Sequence, residues 1–280
     1  MIIVNNILDL RATISAWKQN GLSVALAPTM GNLHAGHLKL VNSAKQKADK
    51  VVVSIFVNPT QFGINEDFAS YPRTEQEDQL KLATENTDLL FLPTITDIYS
   101  ANALTTVKVS GLSDIYCGAS RPGHFSGVAT IVCKLFNLVQ PDIAVFGLKD
   151  FQQFTVIKTM IRDLNIPIEL LGVDTQRESN GLAMSSRNNY LTDIERQLAP
   201  QLYEALGIAK TAILAGQHSY ATIEQQAKQS LKNTGFTPDY FSICSSHDLS
   251  SATKQDKDMV ILAAAKLGTT RLIDNIYFSL

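Results

Sequence analysis

Cysteine is scarce: the 280 residues hold three, at 117, 133 and 244. An odd number at wide spacing shows no metal-type pattern and fits a reduced cytosol better than a disulfide framework. Long apolar runs are missing too. Nothing approaches the ~18 residues that a membrane span needs. The first residues lack a basic segment followed by an apolar stretch and a cleavage site, so no secretion signal is expected and a cytoplasmic location is. Neither sign of charge dominates, with 24 Lys and Arg against 26 Asp and Glu and a formal net charge of −2. No basic run stands out, which argues against nucleic acid as the main partner. Internal repeats and low-complexity segments are absent as well.

What is present is a globular composition, 45% apolar and 18% charged, enough for one large domain or two ordinary ones. The first half alternates between the two periods. Largely apolar stretches at Leu22 to Ala27, Val51 to Val57, Asp88 to Leu92, Ile143 to Phe146 and Ile166 to Val173 read as strands of a parallel sheet, and Ile2 to Val4 as a short one. Between them lie helical patterns: Ile7, Leu10, Ile14 and Trp17 behind a capping Asn6; Leu38 to Ala48; about Glu75 to Glu85 behind Thr74-x-x-Glu77; about Ser126 to Leu138; and about Phe151 to Leu164. A further strand is expected at Thr105 to Val109. The polar stretch Asp174 to Asn189 reads as a hinge. Beyond it, Thr192-x-x-Glu195 opens a helix expected to run to about Ala215, followed by one over Tyr220 to Lys232. Three strands are expected at Tyr240 to Cys244, Met259 to Ala265 and Arg271 to Phe278. The alternation predicts an α/β fold, a doubly wound parallel sheet over residues 1–175, with a second, smaller α+β domain over 181–280.

One stretch organises the chemistry. Ala27-Pro-Thr-Met-Gly-Asn-Leu-His-Ala-Gly-His37 runs from a strand through a glycine-containing turn into a helix start. A helix N-terminus offers unpaired N–H groups and a favourable dipole to a phosphate. His34 and His37, three apart, share a face there and can donate to phosphoryl oxygens. A surface cap is the commoner use of such a histidine, so the spacing carries the argument. Lys149 lies on another strand-to-helix turn, where a lysine reaches phosphate as a point charge. Met184-Ser185-Ser186-Arg187 combines two hydroxyls, backbone N–H groups and a guanidinium suited to pyrophosphate. Gln61, sharing a strand-end loop with Asn58, and Gln153 are amides able to read a hydroxyl and a carboxylate. Glu77 and Asp78 are weaker candidates for holding Mg²⁺ through water. Arg121 and His124 sit near glycine and proline turns, placed either to position substrate or to brace a loop.

The His-x-Gly-His spacing after a strand resembles the first signature of the nucleotidyltransferase superfamily that includes class I aminoacyl-tRNA synthetases, and Met184 to Arg187 resembles its second. The longer Pro-Thr-Met-Gly-Asn-Leu-His-x-Gly-His resembles one family within it, the pantoate–β-alanine ligases. Val53-Ser-Ile-Phe-Val-Asn-Pro, Tyr71-Pro-Arg-Thr, Lys134-Leu-Phe-Asn-Leu-Val-Gln-Pro-Asp, Phe146-Gly-Leu-Lys-Asp-Phe-Gln-Gln153 and Arg271-Leu-Ile-Asp-Asn275 resemble it too, in order along the chain. The resemblance implies a Rossmann-like first domain, a lid-like second one, and a cytoplasmic homodimer. It implies an ATP-dependent ligase that joins (R)-pantoate to β-alanine through pantoyl adenylate, with Mg²⁺ on the phosphates. His34, His37 and Lys149 would be catalytic. ATP would be lined by Met30, Gly31, Asn32, Leu33, Ala35, Gly36, Gly147, Leu148, Asp150, Gln176, Met184, Ser185, Ser186 and Arg187, and pantoate or β-alanine by Gln61 and Gln153. Leu148 is the departure, since the family more usually carries a polar residue such as Glu there. Two rival functions are a nucleotidyltransferase that stops at the nucleotidylated product, and a non-catalytic tRNA-binding protein on the same fold.

Overall fold

The computed structural model describes residues 1–64 and 66–280. Its residues gather into two compact units. Met1–Leu148 with Val156–Asp174 form the first, and Lys149–Thr155 with Thr175–Leu280 the second. Residues 149–155 thus group with the later part of the chain.

The first unit contains β1 (Ile2–Val4), α1 (Ile7–Gln19), β2 (Val24–Thr29), α2 (Ala35–Lys45), β3 (Lys50–Ile55), α3 (Glu75–Thr84), β4 (Leu89–Phe91), the short α4 (Ile95–Ile98) and α5 (Cys117–Ser120), α6 (His124–Val139), β5 (Ile143–Gly147), most of α7 (Phe151–Asp163) and β6 (Glu169–Val173). The strands form one parallel sheet in the order β1-β4-β3-β2-β5-β6. Successive strand residues face opposite ways. Ala25, Ala27, Val51, Val53, Leu90 and Val145 therefore pack with Leu40, Val41 and Ala44 of α2 and Leu82 of α3. On the chain's other helices, α1 and α6 pack on one another and α6 on β2.

The sheet order reverses between β2 and β5. Their ladder has two residue pairs, Ala25 with Ile143 and Leu26 with Ala144. Pro28, which has no N–H to give, lies just beyond it. The strands separate at their C-terminal ends, and a parallel sheet binds ligands at such a reversal.

Two expectations fail in this unit. Thr105 to Val109 forms no strand, because Thr130 Oγ1 of α6 accepts from Val107 N–H at 2.9 Å and donates back to its carbonyl at 3.5 Å. Thr74 makes no side-chain cap on α3. Its hydroxyl instead reaches Asp78 Oδ2 at 3.2 Å.

The second unit carries α8 (Asp193–Leu198), α9 (Gln201–Leu214), α10 (Tyr220–Asn233) and an antiparallel meander of β7 (Phe236–Ser245), β8 (Asp258–Leu267) and β9 (Thr270–Ser279). The capping box at Thr192 and Glu195 is present. The single helix expected behind it is two. Pro200 has no N–H and its ring would strike the preceding turn, so α8 stops at Leu198 and α9 starts afresh at Gln201. Leu202, Leu206, Ile213, Ile223 and Leu231 of the helices form the core with Phe241, Ile243, Ile261, Leu272 and Phe278 of the sheet.

Candidate active site

The turn after β2 is shaped by one buried carboxylate. Asp78 Oδ2 accepts from Asn32 N–H at 2.8 Å, and Oδ1 from Leu33 N–H at 2.7 Å. Lys81, one turn further along α3, donates to Leu33 C=O at 2.8 Å. The turn needs left-handed backbone at Gly31 (φ 82°) and Asn32 (φ 51°). A Cβ at Gly31 would also press Ile55 and Asp78 at 3.1 and 3.2 Å, so glycine is required twice over. Asp78 is fully buried and its oxygens are committed to this loop, while Glu77 is well exposed with Lys81 3.9 Å away. The expected Mg²⁺ role of this pair is therefore not supported. Asp78 instead holds the signature loop.

His34 is the N-cap of α2. Its Nδ1 accepts from Gly36 N–H at 3.1 Å, and His37 Nδ1 accepts from His34 N–H at 3.2 Å. The ring centroids are 4.1 Å apart. Each imidazole accepts through Nδ1, so the neutral ring carries its proton on Nε2. Capping and donating are thus compatible: one nitrogen of each ring builds the helix start and the other bears an N–H beside it.

The turn after β3 is the second part of the site. Asn58 is buried, and its amide donates to Gln61 Oε1 at 3.1 Å and to Gly127 C=O at 3.2 Å. Its Oδ1 accepts from Tyr99 OH and Thr60 Oγ1, both at 2.9 Å. Gln61 Nε2 lies 3.0 Å from Met30 Sδ, which brings the amide to the signature loop. Behind it, the Gln61 carbonyl is 2.8 Å from His124 Nδ1 and 3.3 Å from Arg121 Nη2. Arg121 in turn pairs with both oxygens of Glu66. Burial works to raise the Glu66 pKa, but the guanidinium's hydrogen bonds and charge outweigh it and hold the carboxyl below its ordinary value. Arg121 and His124 therefore brace the Gln61 loop.

In the second unit, Lys149 and Asp150 close a 3-10 turn that leads into α7, with Gln153 partly exposed on its first turn. Asn275 donates from its side-chain amide to Lys149 C=O at 2.8 Å. Ser185 caps the short turn Ser186–Tyr190, its Oγ accepting from Arg187 N–H at 3.3 Å. Met184 N–H bonds Gln176 C=O at 2.9 Å, and Arg177 bridges Ala183 in antiparallel fashion. Arg177 also forks onto Asp274, Nη1 to Oδ2 at 2.6 Å and Nη2 to Oδ1 at 2.9 Å, and lies 3.5 Å over the Tyr203 ring.

The first unit thus carries a histidine-capped helix at a sheet reversal and a braced glutamine, and the second a serine-arginine turn and a lysine turn. The family model for pantoate-beta-alanine ligase matches residues 2–277. The chain belongs to the pantoate–β-alanine ligase family. Its reaction is the ATP-dependent condensation of pantoate with β-alanine. The chain is 54% identical over 280 residues to pantothenate synthetases of Shewanella baltica OS223 and Shewanella oneidensis, covering 99% of each chain. The crystal structure of pantothenate synthetase from Thermus thermophilus superposes with a TM-score of 0.93 at 41% identity and 99% coverage of both chains. A pantoate-beta-alanine ligase from Francisella tularensis, solved with beta-gamma ATP and beta-alanine, does so at 0.83 and 34%, over 99% of this chain and 97% of that one. Among ligase residues that local sequence patterns passed over, Asp78 in its loop-holding role, Asp274 and Asn275 stand out. Their partners lie 45 to 126 positions away.

Proposed function

We propose that this ligase works in two steps, with the residues above in distinct roles. Pantoate's carboxylate oxygen attacks the α-phosphorus of ATP, pyrophosphate leaves, and pantoyl adenylate forms. The amine of β-alanine then attacks the acyl carbon, and AMP leaves. Such chemistry asks the protein for positioning and charge stabilisation more than for covalent participation. The supporting observation is the paired Nδ1 acceptance of His34 and His37, which fixes two Nε2–H donors at the start of α2. They and Lys149 stabilise the charge that develops on the transferring phosphate. Ser185, Ser186 and Arg187 hold pyrophosphate. The backbone of Met30 to Leu33 with Ala35 and Gly36, and residues 147–150 with Gln176 and Met184, line the nucleotide. Gln61 and Gln153 hold pantoate.

Mg²⁺ belongs with the nucleotide in this proposal, retaining several waters as it commonly does on phosphates. Among the described residues no group of three His, Cys, Asp or Glu is placed to hold a metal. The second unit acts as the lid, the working form is a homodimer, and the compartment is the cytoplasm. No helix among the described residues is long and apolar enough to cross a membrane. The deciding experiment follows labelled pyrophosphate. Exchange into ATP that needs pantoate but not β-alanine, with AMP released in turnover only when both are present, is the expected result. AMP formation that needs β-alanine at every stage, with no exchange, overturns the adenylate route.

A further inference from the structure

Strand β9 carries two adjacent polar residues, Asp274 and Asn275, that are both about 95% buried. A strand alternates its faces, and Leu272, Ile276 and Phe278 share the parity of Asp274 and pack in the helix-covered core. A carboxylate therefore stands at a core position, which is costly unless it is paired and hydrogen-bonded. It is paired with Arg177 by a two-bond fork, and its Oδ1 also accepts from Asn275 N–H at 2.8 Å. Arg177 extends the hold to the base of the serine-arginine turn. It donates to Gly181 C=O at 3.1 Å and to Asn275 C=O at 3.3 Å, and its backbone bridges Ala183, the residue before Met184. Asn275 and Tyr277 have the other parity and meet residues 149–155. Asn275 donates to Lys149 C=O, and Tyr277 and Phe151 place their ring centroids 6.0 Å apart. One dipeptide thus grips two phosphate-binding segments, from the two faces of one strand.

We infer that Asp274 and Asn275 are positioning residues for the phosphate groups of the ligase: Asn275 sets the backbone of Lys149, and Asp274, through Arg177, sets the arm that presents Ser185 to Arg187. Neighbouring residues on a strand keep a fixed separation, so this pair fixes the spacing of the lysine and arginine charges. Both act through the protein groups they hold. The inference rests on the proposed phosphate roles of Lys149 and Arg187.

A double-mutant cycle tests it, read as the rate of pantoate-dependent pyrophosphate exchange at saturating ATP and pantoate, with folding checked by thermal melting. Asn275→Ala is expected to slow exchange by up to about 10²-fold, the loss that misplacing a reacting group by about 1 Å can produce. In a Lys149→Ala background the same change is expected to add less than about twofold, because the group it positions is gone. A merely structural role would cost the same factor in both backgrounds, and that result overturns the inference. The near-isosteric Asn275→Leu, which has no side-chain donor, is run through the same cycle in case the alanine variant does not fold. Arg177→Lys, tested with and without Arg187→Ala, is expected to be non-additive in the same way, and additivity there overturns the Asp274 half. If Lys149→Ala itself exchanges at the parent rate, the phosphate reading of that lysine falls, and the inference with it.

Discussion

At the scale of single residues, the two histidines hold a structural task and, in the proposed function, a chemical one, and the two can be separated by mutation. Each Nδ1 accepts a backbone N–H, so each alanine variant loses a cap, worth about 0.5–2 kcal/mol of stability, as well as a donor. Loss of a donor that acts on developing charge typically costs ~10²–10³-fold in rate. His34→Ala and His37→Ala are therefore expected to slow adenylate formation in single-turnover experiments by that factor while leaving ATP binding nearly unchanged. An unchanged chemical step with a tenfold weaker ATP affinity would refute the role. Asn is the informative companion substitution at position 34, since it is among the best caps yet places its polar atoms differently. Residue 148 calls for the opposite expectation. It lies between the end of β5 and Lys149, in a turn whose backbone groups are open to the proposed ligand whatever the side chain. Leu148→Glu is expected to change the adenylation rate by no more than a few-fold, and Lys149→Ala to reduce it severely. A large gain from Leu148→Glu would mean that the leucine had crippled the enzyme.

At the scale of elements, the site is built where helices come close enough to brace loops. Gly127 on α6 shows how close. A Cβ there would sit 2.4 Å from Thr60 C=O and 2.7 Å from Gln61 Cα, so the helix and the Asn58–Gln61 turn touch backbone to backbone. Gly127→Ala must push them apart. The expected result is a stability loss of about 1–3 kcal/mol, as for overpacked cores, together with a raised pantoate requirement, seen by chemical denaturation and pantoate saturation. Normal pantoate saturation in a destabilised variant would separate Gln61 from the substrate. These contacts also explain what could be read in advance. The β2 turn, the capped α2 and the alternation that gives the parallel sheet are local, and their patterns lie within a few residues of one another. Asp78 as the loop's anchor was hidden because its partners are 45 and 46 residues away, and the capping pattern at Thr74 offered a local role instead. The strand expected at Thr105 to Val109 had the right composition, but a threonine on α6 supplies both bonds that a ladder would have given Val107. Pro200 was visible, yet the apolar period runs through it on both sides.

At the scale of the whole molecule, stability and assembly order follow from a few long-range polar contacts. The Glu66–Arg121 pair makes stability depend on pH with a definite sign. The folded-state pKa of Glu66 lies below its ordinary 4.5, so the pair's contribution is complete above about pH 4.5 and is lost as pH falls through the folded value. Glu66→Gln is thus expected to lower the unfolding midpoint at neutral pH and to converge with the parent protein in acid. A constant difference down to pH 3 would show that the pair carries no charge-linked stability. The bond from Asn275 to Lys149 has a consequence in time. The two residues are 126 positions apart, and at about 5–20 residues per second a ribosome needs roughly 6–25 s to pass from one to the other. The β2 turn and its anchoring Asp78 have all left the ribosome by then, whereas Lys149 waits for the partner that fixes its backbone. A nascent chain can therefore complete much of its parallel sheet early, and on the inference drawn above its catalytic competence waits for the late strand.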